Sequence, residues 1–192
     1  MVEEDPAKRR KRIRLPYFDY RRTGLYFVTI CTHRKRSTLG VAHEGSVDLS
    51  PLGRLTEACW EAVPEHSHHV ELDLYVVMPN HIHALVAIDA ESDPSESKLK
   101  PGELRAGSLG AIIGSFKAAV TRAARAEGIA SGDPVWQRGF WEHIVRGPKA
   151  LTRIQKYIVE NPGRWPYDSE NRDRRGDDPF DDWIVEQGAL PR

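Results

Sequence analysis

Apolar positions along the chain alternate with period two in some stretches and recur every three to four residues in others, and the changes of period outline its elements. Residues 24–34, GLYFVTICTHR, are aromatic and β-branched on both faces, which predicts a central strand. GSVDLS at 45–50 predicts a short edge strand or hairpin arm. From Pro51 to His66, Leu52, Leu55, Cys59 and Val63 have helical spacing, with Ser50 as N-cap and Pro51 at the first helical position. HVELDLYVVM (69–78) and HIHALVAI (81–88) alternate on either side of Pro79-Asn80, which predicts an antiparallel hairpin. Residues 89–107 are polar with Pro and Gly, the pattern of a surface loop.

Ser108 then caps a longer helix with Leu109, Ile112, Ile113, Phe116, Val120 and Ala123 as its apolar stripe. VWQRGFWEHIVR (135–146) predicts a strand with an irregularity at its glycine. PKALTRIQKYIVEN (148–161) predicts a last helix, Leu151, Ile154 and Ile158 inward, stopped by the Asn161-Pro162 step. No period persists beyond Pro162. This order predicts an α+β fold, an antiparallel sheet with packed helices.

Composition narrows the class. A chain of 192 residues with 40% hydrophobic content fits one globular domain. No apolar run approaches the roughly 18 residues that span a bilayer, and MVEEDPAKRRKRIRL lacks a secretory apolar core, so no membrane association and a cytoplasmic location are expected. Cys31 and Cys59 have no CxxC spacing, so neither a disulfide framework nor a thiolate metal site is suggested. The formal net charge of zero hides an asymmetry: KRRKRIR at 8–14, Arg21, Arg22 and RKR at 34–36 are basic, whereas GDDPFDDW at 176–183 is acidic. Charge alone does not separate a solvated arm from a nucleic-acid contact surface.

The chemistry begins at VVMPNHIHALV, 76–86. On a strand His81 and His83 project from one face, about 7 Å apart at Cα, a spacing that lets two imidazoles converge on one metal ion. Ile82, Ala84, Val86 and Ile88 take the other face. His-x-His alone equally fits the wet face of a half-exposed sheet. His66, His68 and His69 read as a polar loop, His33 and His43 have no companions, and His143 reads as structural. Tyr157 and Asn161, four apart on the last helix, share a face and, taken singly, read as packing and a helix stop. Together with the histidines they supply two imidazoles, an amide oxygen and a phenol, a set suited to phosphoryl transfer to a protein nucleophile.

MPNHIHALV, YIVENP, WQRGFWEHIVR, IIGSFKAAVTR and RIRLPYFDYRRTGLYFVTICTHR resemble, in order, the single-tyrosine HUH transposases, most closely the REP-associated tyrosine transposases of bacteria. The resemblance spans roughly residues 12–165. It implies a ferredoxin-like fold and metal-dependent cleavage and joining of single-stranded DNA near hairpin or palindromic elements. The histidine pair falls on His81 and His83, the nucleophile on Tyr157 and the third metal ligand on Asn161, where related insertion-sequence enzymes carry Gln. Imidazoles with a neutral amide oxygen suit a labile ion, Mg²⁺ or Mn²⁺. Phosphate contacts are expected from Lys8, Arg9, Arg10, Lys11, Arg12, Arg14, Arg21 and Arg22 of the basic arm and from Lys117 and Arg122. Tyr17, Tyr20, Trp136 and Trp141 are candidates for base stacking, with core packing preferred for both Trp.

The expected organisation is a basic arm (1–23), a transposase domain (24–165) and a charged tail (166–192) that could cover the site, pack as a final helix or hang free. A monomer is favoured over a homodimer. Two other readings stand beside strand transfer: a catalytically silent DNA-hairpin-binding protein of the same fold, and a metallohydrolase that combines His-x-His with the 66–69 cluster.

Overall fold

The computed structural model describes residues 23–89 and 107–188. The basic arm, with Tyr17 and Tyr20, and most of the expected surface loop lie outside the described residues. A four-stranded antiparallel sheet is built from β1 (Gly24–Cys31), β4 (Val70–Val77), β5 (His81–Ile88) and β6 (Trp141–Ile144), in the spatial order β4-β5-β1-β6. With α1 (Pro51–Glu61) after β1 and α3 (Leu109–Ala126) after β5, the order is βαββαβ, the ferredoxin-like arrangement expected. Into its first crossover are set a hairpin, β2 (Gly40–His43) and β3 (Ser46–Leu49), and the single turn α2 (Val63–His66).

Register decides which residues face which layer. β1 pairs with β5 so that Cys31 lies opposite His81, Thr29 opposite His83 and Phe27 opposite Leu85. All six therefore share one face. Tyr26, Val28, Ile30, Ile82, Ala84 and Val86 take the other and join Trp60 of α1 and Leu109, Ile113, Phe116 and Val120 of α3 in the larger core. The histidine face is covered by α4 (Pro148–Arg164) and α5 (Pro179–Gly188), whose Ile154, Tyr157, Ile158, Phe180 and Ile184 form a second core with Phe27 and Leu85. The result is a sheet between two helical layers, with both faces dry.

Several boundaries differ from those read along the chain. The helix from Pro51 breaks at Ala62, just before Pro64, which has no N–H to continue it. Ser50 caps α1 as expected, its side chain accepting from the Gly53 N–H at 3.0 Å. Gly53 cannot be larger: a Cβ there would fall 1.9 Å from the Leu39 carbonyl oxygen. The stripe of α3 closes on Ala124, not Ala123. Only Trp141–Ile144 of the 135–146 segment is a strand, because Gly139 turns the chain at φ +81°, although Trp136 still bridges to Thr32. α4 runs through Pro162 to Arg164. The preference of a pre-proline residue for extended backbone is overcome at Asn161, whose buried side chain is bonded to the following loop. Beyond that point the chain forms a 3-10 turn at Trp165–Tyr167 and then α5, so this part of the tail packs as a final helix. No described helix is long and apolar enough to cross a membrane.

Candidate active site

The structure brings His81 and His83 of β5 together with Tyr157 and Asn161 of α4, and adds Asp168 from the loop after the 3-10 turn. Relative exposures are 0% for His81, Asn161 and Asp168, 4% for His83 and 3% for Tyr157, so the histidine face is not a wet one. The imidazole rings lie 4.3 Å apart between centroids. The Tyr157 hydroxyl is 3.2 Å from His83 Nε2 and 3.5 Å from Asp168 Oδ2. Asn161 Nδ2 donates to the same Asp168 Oδ2 at 2.8 Å.

Each histidine is oriented from behind. Asn80 Nδ2 donates to the carbonyls of Glu170 (2.8 Å) and Lys35 (3.2 Å), which fixes its Oδ1 as an acceptor. His81 Nδ1 therefore carries the proton and donates to that Oδ1 at 2.8 Å, leaving Nε2 as a bare lone pair. His81 Nε2 is buried and has no hydrogen-bond partner, a condition rarely tolerated without a ligand. His83 Nδ1 is 3.0 Å from Thr29 Oγ1, its neighbour across the β1–β5 ladder. Burial, helped by the adjacent His83, lowers the pKa of His81 to about 3, so at neutral pH it is a neutral donor.

His81, His83 and Asp168 offer donor atoms all within 4.8 Å of one another; this is the group of at least three His, Cys, Asp or Glu side chains that gathers so among the described residues. His66, His68 and His69 do not form one. The residues fit a divalent ion: two imidazoles, a carboxylate and the buried, unpartnered Oδ1 of Asn161. Burial pushes the Asp168 carboxyl up, but the two imidazoles and the Asn161 amide outweigh it and hold the group below the usual carboxylate range. Burial and the Asp168 charge push the Tyr157 phenol above its ordinary value, and it is protonated.

Asp168 escaped the sequence reading, since WPYDSE carries no period. Its loop is nonetheless tightly tied: Glu170 accepts from Cys31 Sγ (3.0 Å) and pairs with Lys35 (2.9 Å), and the Glu170 N–H bonds Asp168 Oδ1 at 2.7 Å. Asn80, which reads as a turn residue, was legible only through its place next to the histidine pair. α5 closes the other side. Phe180 stacks on Tyr157 at 3.6 Å and 6°, and Asp178 holds the helix start through the Phe180 N–H (2.8 Å) and an ion pair with Arg164.

The remaining candidates lie elsewhere. Lys117 and Arg122 belong to α3, on the opposite layer. The Lys117 ammonium donates to the carbonyls of Gln137 and Gly139, and desolvation lowers its pKa to about 8. Arg122 is exposed. Trp136 is buried against Phe116, Trp141 packs edge-on to Phe27, and His143 stacks on Trp141. Lys8, Arg9, Arg10, Lys11, Arg12, Arg14, Arg21 and Arg22 lie outside the described residues.

No family model matches the chain. A Haemophilus influenzae protein without an assigned activity is 37% identical over 168 residues, covering 83% of this chain and 91% of its own. A second protein of that organism, assigned by name to the REP-associated tyrosine transposases, is 38% identical over 58 residues, 26% of this chain and 33% of its own. Among solved structures, a REP-associated tyrosine transposase bound to a REP hairpin has the same fold, with a TM-score of 0.55 at 20% identity over 93% of this chain and 88% of that one.

Proposed function

We propose that the chain belongs to the family of the REP-associated tyrosine transposases and is a metal-dependent endonuclease and strand transferase of single-stranded DNA, acting beside hairpins. One observation carries the reading. A phenol from α4 lies 3.2 Å from an imidazole of β5, inside a buried cluster of polar side chains in which His81 Nε2 and Asn161 Oδ1 have no hydrogen-bond partner.

In this reading the Tyr157 oxygen attacks a backbone phosphorus, the P–O3′ bond breaks, and the phenol proton ends on the departing 3′ oxygen. The products are a 5′-phosphotyrosine and a free 3′-hydroxyl. Because the phosphoester is conserved on the protein, a second 3′-hydroxyl reverses the step without ATP. His81, His83 and Asn161 would hold a divalent ion, Mg²⁺ or Mn²⁺, which would supply Lewis acidity toward the phosphate. The chain's own contribution is placement: Asn80 and Thr29 aim the imidazoles, and Phe180 and Phe27 hold the phenol ring from its face and its edge. The basic positions of the arm and Arg122 are assigned to phosphates. A hairpin is the assigned partner because the solved relative of this fold was bound to one.

A second reading, hairpin binding without turnover, is favoured by the burial of the phenol under Phe180. One experiment separates them. Wild-type protein with Mn²⁺ and a hairpin oligonucleotide labelled on the 3′ side of the nick is expected to carry the label through denaturation. Binding with no covalent label and no nick in either Mg²⁺ or Mn²⁺ selects the silent protein.

A further inference from the structure

The structure assigns a ligand role beyond that set: we propose, resting on the metal-dependent reading above, that Asp168 is the anionic ligand of the ion and that Asn161 is the residue that positions it. Asp168 is wholly buried, and among the described residues no Lys or Arg pairs with it. Its surroundings are two imidazoles, an amide, a phenol and one backbone N–H. A buried carboxylate with no paired Lys or Arg is costly unless another cation joins it, and a divalent ion fits three donor groups gathered within 4.8 Å of one another.

The distances agree. Asp168 Oδ2 lies 3.7 Å from His81 Nε2 and 3.8 Å from His83 Nε2, too far to be hydrogen bonds. Two donors on one ion with bonds of about 2.1 Å stand roughly 3.0–3.6 Å apart, so a contraction of a few tenths of an ångström suffices. Asn161 meets the cluster with its nitrogen: Nδ2 donates to Asp168 Oδ2 at 2.8 Å, and an amide N–H cannot ligate a metal. Its buried, unpartnered Oδ1 stays available to the ion, so Asn161 acts both directly and by fixing the Asp168 carboxylate. A carboxylate added to two histidines and an amide oxygen gives a harder, more anionic site, which favours Mn²⁺ or Fe²⁺-like ions over soft ones.

The test is Mn²⁺ binding to the whole chain without DNA, by isothermal titration calorimetry. Asp168→Asn is expected to weaken binding by about 100-fold or more, as His81→Ala should, and Asn161→Ala by about 10-fold. Asp168→Asn with wild-type affinity, or Asn161→Ala as severe as Asp168→Asn, overturns the assignment, as does wild-type protein that takes up no Mn²⁺. Circular dichroism reports whether Asp168→Asn folds. If it does not, a wild-type crystal soaked in Mn²⁺ decides: an anomalous peak bonded to Asp168 Oδ2 supports the proposal and a peak bonded to the histidines without it refutes it. Wild type that binds Mn²⁺ through Asp168 but forms no DNA adduct keeps this inference and removes strand transfer. An adduct formed by Asp168→Asn at wild-type Mn²⁺ affinity does the reverse.

Discussion

Tyr157→Phe is expected to lose the covalent DNA adduct completely and to slow nicking by at least about 10³-fold, with fold, metal binding and hairpin binding retained. The substitution removes one oxygen, whose neighbours are His83 Nε2 and Asp168 Oδ2. The ring keeps its stacking on Phe180 and its edge contact with Phe27, so the second core is preserved. Water in place of the phenol would leave a free 5′-phosphate and an unlabelled protein, so both products must be read. Nicking at wild-type rate by the Phe variant would assign the attack to water. An adduct mapped to another tyrosine would do the same for that residue, but geometry opposes it: Tyr75 is in register with Ala84 on the opposite face and donates to Glu61, and Tyr167 is exposed.

His81→Ala combined with His83→Ala is expected to abolish nicking in Mg²⁺ and in Mn²⁺, by about 10³-fold or more, the several kcal/mol that a metal contributes to phosphoryl transfer. Hairpin binding should persist, because the proposed phosphate contacts come from other residues, those of the basic arm and Arg122. Both side chains project away from Ile82, Ala84 and Val86, so the larger core is untouched. The cavity left beneath α4 costs stability, while Asp168 keeps its bonds from Asn161 and the Glu170 N–H. Gel-based cleavage checked against circular dichroism measures this. Nicking by a folded double variant would remove both histidines from the site.

The half of the site that lies on regular structure was legible in the chain. Alternation in HIHALVAI placed both imidazoles on one face, and the i,i+4 relation of Tyr157 and Asn161 placed them on one helix face, because strand and helix periods determine side-chain direction. Asp168 follows a 3-10 turn where direction is set by tertiary bonds to Lys35, Cys31 and Asn80, residues more than 80 positions away, and no local pattern records those. For the same reason a final helix was only one of three readings of the tail: α5 docks by Phe180 and Ile184, two apolar residues in an acidic segment. Pro162 misled in the other direction. The local penalty it imposes on Asn161 is real but smaller than what burying and bonding that side chain contributes, so α4 continues for another turn.

The pairing of β5 with α4 at His83 and Tyr157 joins positions 74 residues apart, and the loop that follows returns Asp168 to the same point. An ion seated there would behave as a removable cross-link, closing a long loop of chain and riveting the outer helical layer to the sheet, much as a disulfide does but under the control of ion concentration. Chelation should then speed backbone amide exchange in α4 and α5 well before it touches β1 and β5. The outer layer of this protein would gauge the divalent ion around it.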